Sequence, residues 1–298
     1  MLLQQLLNGI TLGSIYALIS LGYTMVYGIL QMINFAHSEI FMLGAYIGLG
    51  VLIGLGAVAH SHSEIALLVI LIAAIIGSGA FGVIIERFAY RPLRHSGRLA
   101  PLISAIGVSI VLQNLVMVVV SPQSLTFPQI IEPKQFSFYG VMINSLQIMI
   151  ICISVCLMAI LHFFINRTKL GTAIRAASAD RETAALMGIN TNKIISLVFF
   201  IGGGLGGAAG VLVGMFYGSI KYNMGFIYGI KAFTAAVLGG IGNIPGAMIG
   251  GLALGILESL GAGYISSAYK DVIAFVILII VLIIRPNGIF GTRTQNKC

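Results

Sequence analysis

Side chains able to handle a polar solute are scarce in this sequence, and most of them fall in two short segments. The first is Met32–Tyr46, MINFAHSEIFMLGAY, where Asn34, His37, Ser38 and Glu39 lie together between apolar runs. Asn34 or Ser38 is suited to cap a helix start, with Glu39 near its positive end. Two readings stay open there: an interfacial turn with capping residues, or a helix break at membrane depth whose polar groups face a path. The second segment is Leu170–Asn190, LGTAIRAASADRETAALMGIN. Asp180 is a good N-cap, Glu182 favours a first turn and Gly188 is a good stop, which predicts a two-turn helix Arg181–Met187 after a basic extension through Arg175. So short a helix is unstable alone. Its Ala184, Leu186 and Met187 suit either a groove on a soluble partner or a membrane-surface turn.

Isolated charges complete the set. Lys231 could draw a carboxylate, although snorkelling of its ammonium to an interface is the favoured reading. Glu258 sits inside an apolar run and is either paired within a bundle or lines a cavity. Lys270 and Asp271 are read as a solvated pair of little energy. Metal-assisted or acid–base chemistry wants clustered carboxylates or histidines at ligand spacing. The eight acidic residues are dispersed, with neither HExxH nor paired Asp, so an embedded enzyme is disfavoured. His60 and His62 read as loop polar residues. Cys152 and Cys156, four apart in an apolar run, read as small hydrophobes, and Cys298 is terminal.

The elements that must position these residues are set by composition. Of 298 residues, 58% are hydrophobic and 8% charged, too few charges to cover a water-soluble surface. The solvent is lipid. A bilayer core of about 30 Å needs about 20 apolar residues in a helix. Runs of that kind span Leu6–Ile29, Ile40–Val58, Ile65–Ile85, Leu99–Val120, Met142–Ile165, Ile194–Tyr217, Ala247–Gly263 and Val272–Ile284. Gly225–Gly240 is apolar but only about 24 Å long as a helix, and is either a short crossing or a re-entrant piece. The expected fold is therefore all-α and polytopic, with about 8–9 transmembrane helices, one of them short or broken, in a single domain 1–298. The loop 167–193 would lie within it on the cytoplasmic side.

Net charge is +8, but the basic residues cluster between apolar runs rather than along one face, which argues for membrane orientation and against nucleic acid. Arg87, Arg91, Arg94 and Arg98 follow the third run. Arg167, Lys169, Arg175, Arg181 and Lys193 follow the fifth, and Arg285, Arg293 and Lys297 the last. All three clusters should be cytoplasmic, the C-terminus with them. The start has no basic residue, reads as external and is not expected to be a cleaved signal peptide. An odd number of crossings follows, so Gly225–Gly240 should cross as a ninth pass.

Glycines recur at helical spacing: Gly202, Gly206, Gly210 and Gly214, with Gly203–Gly207 alongside, and Gly242–Gly246–Gly250 with Gly251–Gly255. Such rows form flat ridges where lipid-embedded helices approach closely. GGGLGGAAG lacks the Gly-Lys-Ser/Thr of a phosphate loop and lies mid-span, so nucleotide binding is not expected here.

INFAHSEIFMLGAY, GTAIRAASADRETAALMGIN and KAFTAAVLGGIGNIPGAMIGG together resemble the LivH-type permease subunit of bacterial branched-chain amino acid ABC importers, from about residue 5 to residue 291. The resemblance implies a multi-pass subunit of the bacterial inner membrane, embedded in the lipid bilayer and moving branched-chain or related neutral amino acids by alternating access. It implies a paralogous LivM-type permease, two cytoplasmic ATPase subunits and a periplasmic amino-acid-binding protein as partners. No cofactor is expected in this chain, ATP and Mg being bound by the ATPases, and the chain itself is not an enzyme. In the family, the loop matching Gly171, Arg175, Asp180, Ala184 and Gly188 contacts the ATPase, a variant of the EAA loop. Arg181, Glu182, Leu186 and Met187 fall in the same surface, although the segment departs from the EAA consensus elsewhere. A zwitterionic substrate would need polar relief along its path. Candidates are Asn34, His37, Ser38, Glu39, Lys231, Glu258 and freed backbone groups near Gly239, Gly240 and Gly242. The alternative is a stand-alone secondary transporter or channel for small amino acids or amides, which would have no use for the 175–188 segment.

Overall fold

A computed structural model describes residues 1–56, 62–94, 96–97, 99–131, 134–138, 141–285 and 287–291. The expectations on His60, Arg98, Arg293, Lys297 and Cys298, and the end of the second run at Val58, lie outside the described residues. Among the described residues eleven α-helices carry the fold: α1 (Leu2–Leu30), α2 (His37–Leu55), α3 (Ser63–Ile85), α4 (Leu99–Val119), α5 (Ser145–Arg167), α6 (Lys169–Ala179), α7 (Arg181–Leu186), α8 (Thr191–Tyr217), α9 (Met224–Gly239), α10 (Ile244–Tyr264) and α11 (Lys270–Ile284). By length and apolarity, eight segments among the described residues can cross a bilayer, and α9 is a shorter apolar helix beside them.

The expected runs and the observed helices coincide because run length alone decides which segments satisfy their backbone in lipid. Their ends are set by local chemistry. Helix α5 starts at Ser145 rather than Met142, because Asn144 accepts from the Leu146 amide while Gln147 reaches back to the Asn144 amide. Met142–Asn144 instead form a strand against Gln135–Phe138. A second ladder pairs Leu125–Thr126 with Ser219–Ile220. The Leu125–Ile220 ladder lies in connections between apolar runs, whereas the second strand of the other ladder takes the first three residues of the run expected from Met142.

Two glycine-lined seams order the bundle, α1–α10 antiparallel and α2–α8 parallel. Helix α1 lies along α10, with Gly9 beside Ile256, Gly13 beside Leu252 and Ala17 beside Gly251. Helix α8 lies between α2 and α3, so that Gly207 meets Gly44 on one side and Ser78 on the other. The first and last described segments lie on opposite faces. Gln4 bonds to Met142, and Gln5 accepts from Ser259 near the far end of α10. The tail amides of Ile289 and Phe290 bond to Leu238 and Gly239 at the other end. That second face also carries Arg94, Arg181 and the C-terminus of α1, and will be called the basic face. Helix α9, too short to count among the eight, runs antiparallel to α10, with Gly239 against Gly246 and Ala235 against Gly250.

Candidate functional site

Between α1 and α2 the chain turns back into the bundle before helix resumes. His37 lies three turns below the end of α1, its Nε2 3.2 Å from the Ile19 carbonyl and its ring edge-on to Tyr23 at 4.7 Å. The polar residues here do not cap α2 as the sequence suggested. The Asn34 amide oxygen accepts from the Tyr90 hydroxyl (3.0 Å), and the Ser38 hydroxyl donates to Phe35 O (2.7 Å). Ala36 takes the N-cap position with no side-chain bond. Tertiary partners have taken the groups that local capping would use. Glu39 is buried, its Oε1 accepting from Ser109 of α4 (3.2 Å). Its Oε2 faces Gly225 at the start of α9, where a side chain would collide with it. Among the described residues no cation lies within 4 Å of this carboxylate, and Oε2 and Asn34 Nδ2 have no hydrogen-bond partner. Asn34, His37, Ser38 and Glu39 thus form one buried cluster at a helix break.

Lys231, Glu258 and Asp271 form a second cluster. Lys231 does not snorkel: at 2% exposure its ammonium lies 2.7 Å from Glu258 Oε1 and 2.6 Å from Asp271 Oδ1. Two carboxylates in reach outcompete a route to the interface. Glu258 also accepts from the Tyr16 hydroxyl at 2.9 Å, which resolves its two readings in favour of a buried pair. The expected Lys270–Asp271 pair does not form. Asp271 turns inward to Lys231, and Lys270 lies over the Tyr217 ring instead. Tyr16 and Asp271 were not legible as members, since partners on four helices cannot be paired by spacing. The signal was indirect: a lone Lys and a lone Glu in two apolar helices each need a countercharge.

The glycine row on α8 lies against backbone and aromatic rings in turn. Gly202 faces Gly22, Gly206 the His37 ring, Gly210 the Phe41 carbonyl and Gly214 the Phe127 ring. Gly239, Gly240 and Gly242 lie at a turn, where the Gly240 amide bonds to Ala236 and Val237 and the Gly240 carbonyl accepts from Asn243. They make the tight α9–α10 turn, with φ of 100° at Gly240 and 95° at Gly242, and the tail amides occupy the Leu238 and Gly239 carbonyls.

On the basic face, Thr168 caps α6 through the Gly171 amide. Gly171 itself packs at the α5–α6 corner, where a side chain would strike the Phe164 and Ile165 carbonyls. Arg175 bonds to Asn166 and Thr172. Asp180 caps α7, accepting from the Glu182 and Thr183 amides and from the Thr183 hydroxyl (2.5 Å). The Thr183 hydroxyl and amide hold its carboxyl below the usual carboxylate range. The far end closes with Ile189 N–H on Ala184 O, Gly188 N–H on Ala185 O, and Gly188 at φ 83°. Ala184 is buried, but Leu186 and Met187 are 87% and 79% exposed. Arg181 donates to the Leu30 carbonyl that ends α1, tying the segment to the bundle. A cavity of about 710 Å³ opens beside α7, lined in part by Arg91, Arg94, Arg181, Glu182 and Asn192. Behind it, buried Glu86 pairs with Arg94 and accepts from Ser196 (2.6 Å), and Arg94 donates to Asn192 (2.7 Å). Sequence reading placed Arg94 among orienting charges and missed Glu86, which ends an apolar run directly before Arg87. No group of three His, Cys, Asp or Glu suited to a metal occurs among the described residues.

The geometry is that of a polytopic bundle with polar clusters at helix breaks and one apolar-tipped helix on its basic face. Comparison with known proteins agrees. Residues 5–282 match the family described as branched-chain amino acid transport system / permease component. The chain is 51% identical to the high-affinity branched-chain amino acid transport system permease protein BraD of Pseudomonas aeruginosa, over 99% of this chain and 97% of that one. It is 46% identical, with the same coverage, to the permease protein LivH of Escherichia coli K12. At 26% identity it also aligns with the ribose import permease protein RbsC of Haemophilus influenzae, over 97% of this chain and 87% of that one. No solved structure matches. The chain therefore belongs to the branched-chain amino acid transport permease family, as a membrane-spanning transport subunit rather than an enzyme.

Proposed function

We propose that this chain works in the inner membrane of a bacterium as one of two permease subunits of an ATP-driven importer for branched-chain or related neutral amino acids. Its basic face and C-terminus lie in the cytoplasm, as the clustered arginines favour. A paralogous permease completes the pathway, a binding protein delivers substrate from the periplasm, and two ATPase subunits hold ATP and Mg. The names of the relatives support the substrate class, since BraD and LivH are high-affinity branched-chain amino acid permeases.

The observation that carries the coupling role is the exposure of Leu186 and Met187 on a helix fixed at both ends. Two large apolar side chains on a charged face favour burial against a partner. The segment 167–193, with Gly171, Arg175, Asp180, Arg181, Glu182, Ala184 and Gly188, shapes that surface. ATPase movement at α7 reaches the bundle through Arg181 and the end of α1, and through α8, which begins four residues after Met187. Replacing both tips, Leu186→Glu with Met187→Glu, should cut ATP-driven uptake by the assembled importer about tenfold or more, as losing an interface anchor does. The permease pair should still purify intact. Undiminished uptake would overturn this reading.

A further inference from the structure

The Lys231 cluster is built unevenly. Its inner half is complete: the ammonium sits on Glu258 Oε1, and Glu258 Oε2 takes the Tyr16 hydroxyl, all buried. Its outer half is not. Asp271 has a side chain 41% exposed, and Oδ1, though 2.6 Å from Nζ, meets it at an angle outside hydrogen-bond geometry. The cluster lies about 9 Å along α10 from its end at Tyr264, on the face opposite the arginines. Beside it Tyr217, also 41% exposed, stands 6.2 Å from Tyr228, giving an aromatic wall next to the charges, with the Lys270 ammonium 5.9 Å over the Tyr217 ring.

We propose that the Lys231–Asp271 contact is a self-closed binding site for an amino-acid zwitterion, which this outer half of the cluster is shaped to accept. The inference rests on the reading given under Proposed function. The substrate carboxylate takes the Lys231 ammonium and the substrate ammonium takes Asp271, so one misaligned ion pair is exchanged for two. The aliphatic side chain lies along Tyr217 and Tyr228. A zwitterion adds no net charge to the bundle, whereas an amine or a carboxylate alone would leave one buried charge uncompensated. Glu258 and Tyr16 hold Lys231 in place throughout, so Lys231 keeps a countercharge when Asp271 lets go.

The test uses the complete importer with its binding protein in proteoliposomes, ATP inside and leucine as probe. Asp271→Asn leaves the Lys231–Glu258 pair and the Tyr16 bond intact. It should lower leucine uptake about tenfold or more, the loss of one charged hydrogen bond in the loaded state. ATP hydrolysis stimulated by the loaded binding protein should continue, and Asp271→Glu should return uptake to near the original rate. Wild-type uptake in Asp271→Asn would overturn the proposal. So would wild-type uptake in the combined Lys231→Met, Glu258→Gln, Asp271→Asn variant, which would reduce the cluster to a structural latch. If the unmodified importer takes up no leucine, the transport reading fails first, and the site falls with it.

Discussion

The α1–α10 and α2–α8 seams and the α6–α7 segment sit at opposite extremes of how this chain uses contact. In the seams a missing Cβ is the contact: glycines face backbone so closely that side chains cannot be added, and nothing further can dock there. At α7 the backbone is closed by its own caps, and the largest apolar side chains point away from the chain. Lipid explains the contrast. Helices in a bilayer gain little from hiding apolar surface from one another, so they associate through close packing of small residues. Leu186 and Met187 lie on the arginine-bearing face, where exposing apolar surface costs free energy until a partner covers it. The seams are finished structure, whereas α7, in the reading proposed above, is half of an interface.

The largest expected effect comes from attacking a seam. A Cβ at Gly255 would stand 2.2 Å from the Gly13 nitrogen and 2.3 Å from its Cα. Overpacking typically costs about 1–3 kcal/mol where side chains can yield, and more where only backbone is met. Gly255→Leu should therefore abolish recovery of monodisperse protein from detergent. Gly54, with open space around its Cβ position, should accept alanine at normal yield. If both variants purify equally well, the seam is not what holds the bundle.

The second effect tests the joint between the two regions. Glu86 is buried with Arg94 and Ser196, linking the end of α3 to the start of α8 beside the α7 cavity. Removing one member of a buried pair costs about 3–5 kcal/mol, because the other charge stays buried without a partner. Glu86→Ala should lower the thermal midpoint clearly, and the double change Glu86→Ala with Arg94→Met should recover much of it. A single variant as stable as the original would show that Arg94 reaches water.

How much of this was legible in the sequence follows the same division. The seams announced themselves, since Gly202 to Gly214 recur every four residues. Their partners, Gly22, Phe41 and Phe127, did not, because spacing within one helix says nothing about which helix lies opposite. The caps of α7 were legible because Asp180 and Gly188 act within four residues of themselves. At Asn34 and Ser38 capping and a helix break stayed open because capping rules are local, and Tyr90, 56 residues away, claims Asn34. Lys231 was misread for the same reason: snorkelling is the default for a solitary lysine, and its two carboxylates lie 27 and 40 residues further along.

A smaller effect is expected at the cap of α7. Asp180→Ala removes the acceptor for two amides and the Thr183 hydroxyl, so the helix frays while the bundle is untouched. ATP-driven uptake should fall a few-fold with no change in yield, and Asp180→Asn should retain most of it, since an amide oxygen still caps. The pH dependence has a fixed sign. The carboxyl titrates lower folded than unfolded, so its contribution is complete above the ordinary carboxylate range and is lost as pH falls through the depressed value. Coupled uptake by the original protein should be flat from neutral pH down to that range. The Asn variant should show no acid loss traceable to this position.

The smallest effect is the sharpest test of the comparison. Gly188 stops α7 at φ 83° with open space around its Cβ position, so alanine there meets no neighbour and costs only the left-handed conformation. That cost is about 1 kcal/mol, or roughly fivefold in an equilibrium. Gly188→Ala should raise the ATPase concentration needed for half-maximal assembly by no more than that factor, and Gly188→Asn, which tolerates this conformation better, by less. Because the same positive φ at Gly240 comes with backbone 2.5 Å from the Cβ position, Gly240→Ala should be far more damaging than Gly188→Ala. Equal damage at the two positions would mean that α7 is packed as tightly as the seams, and that its exposed tips await no partner.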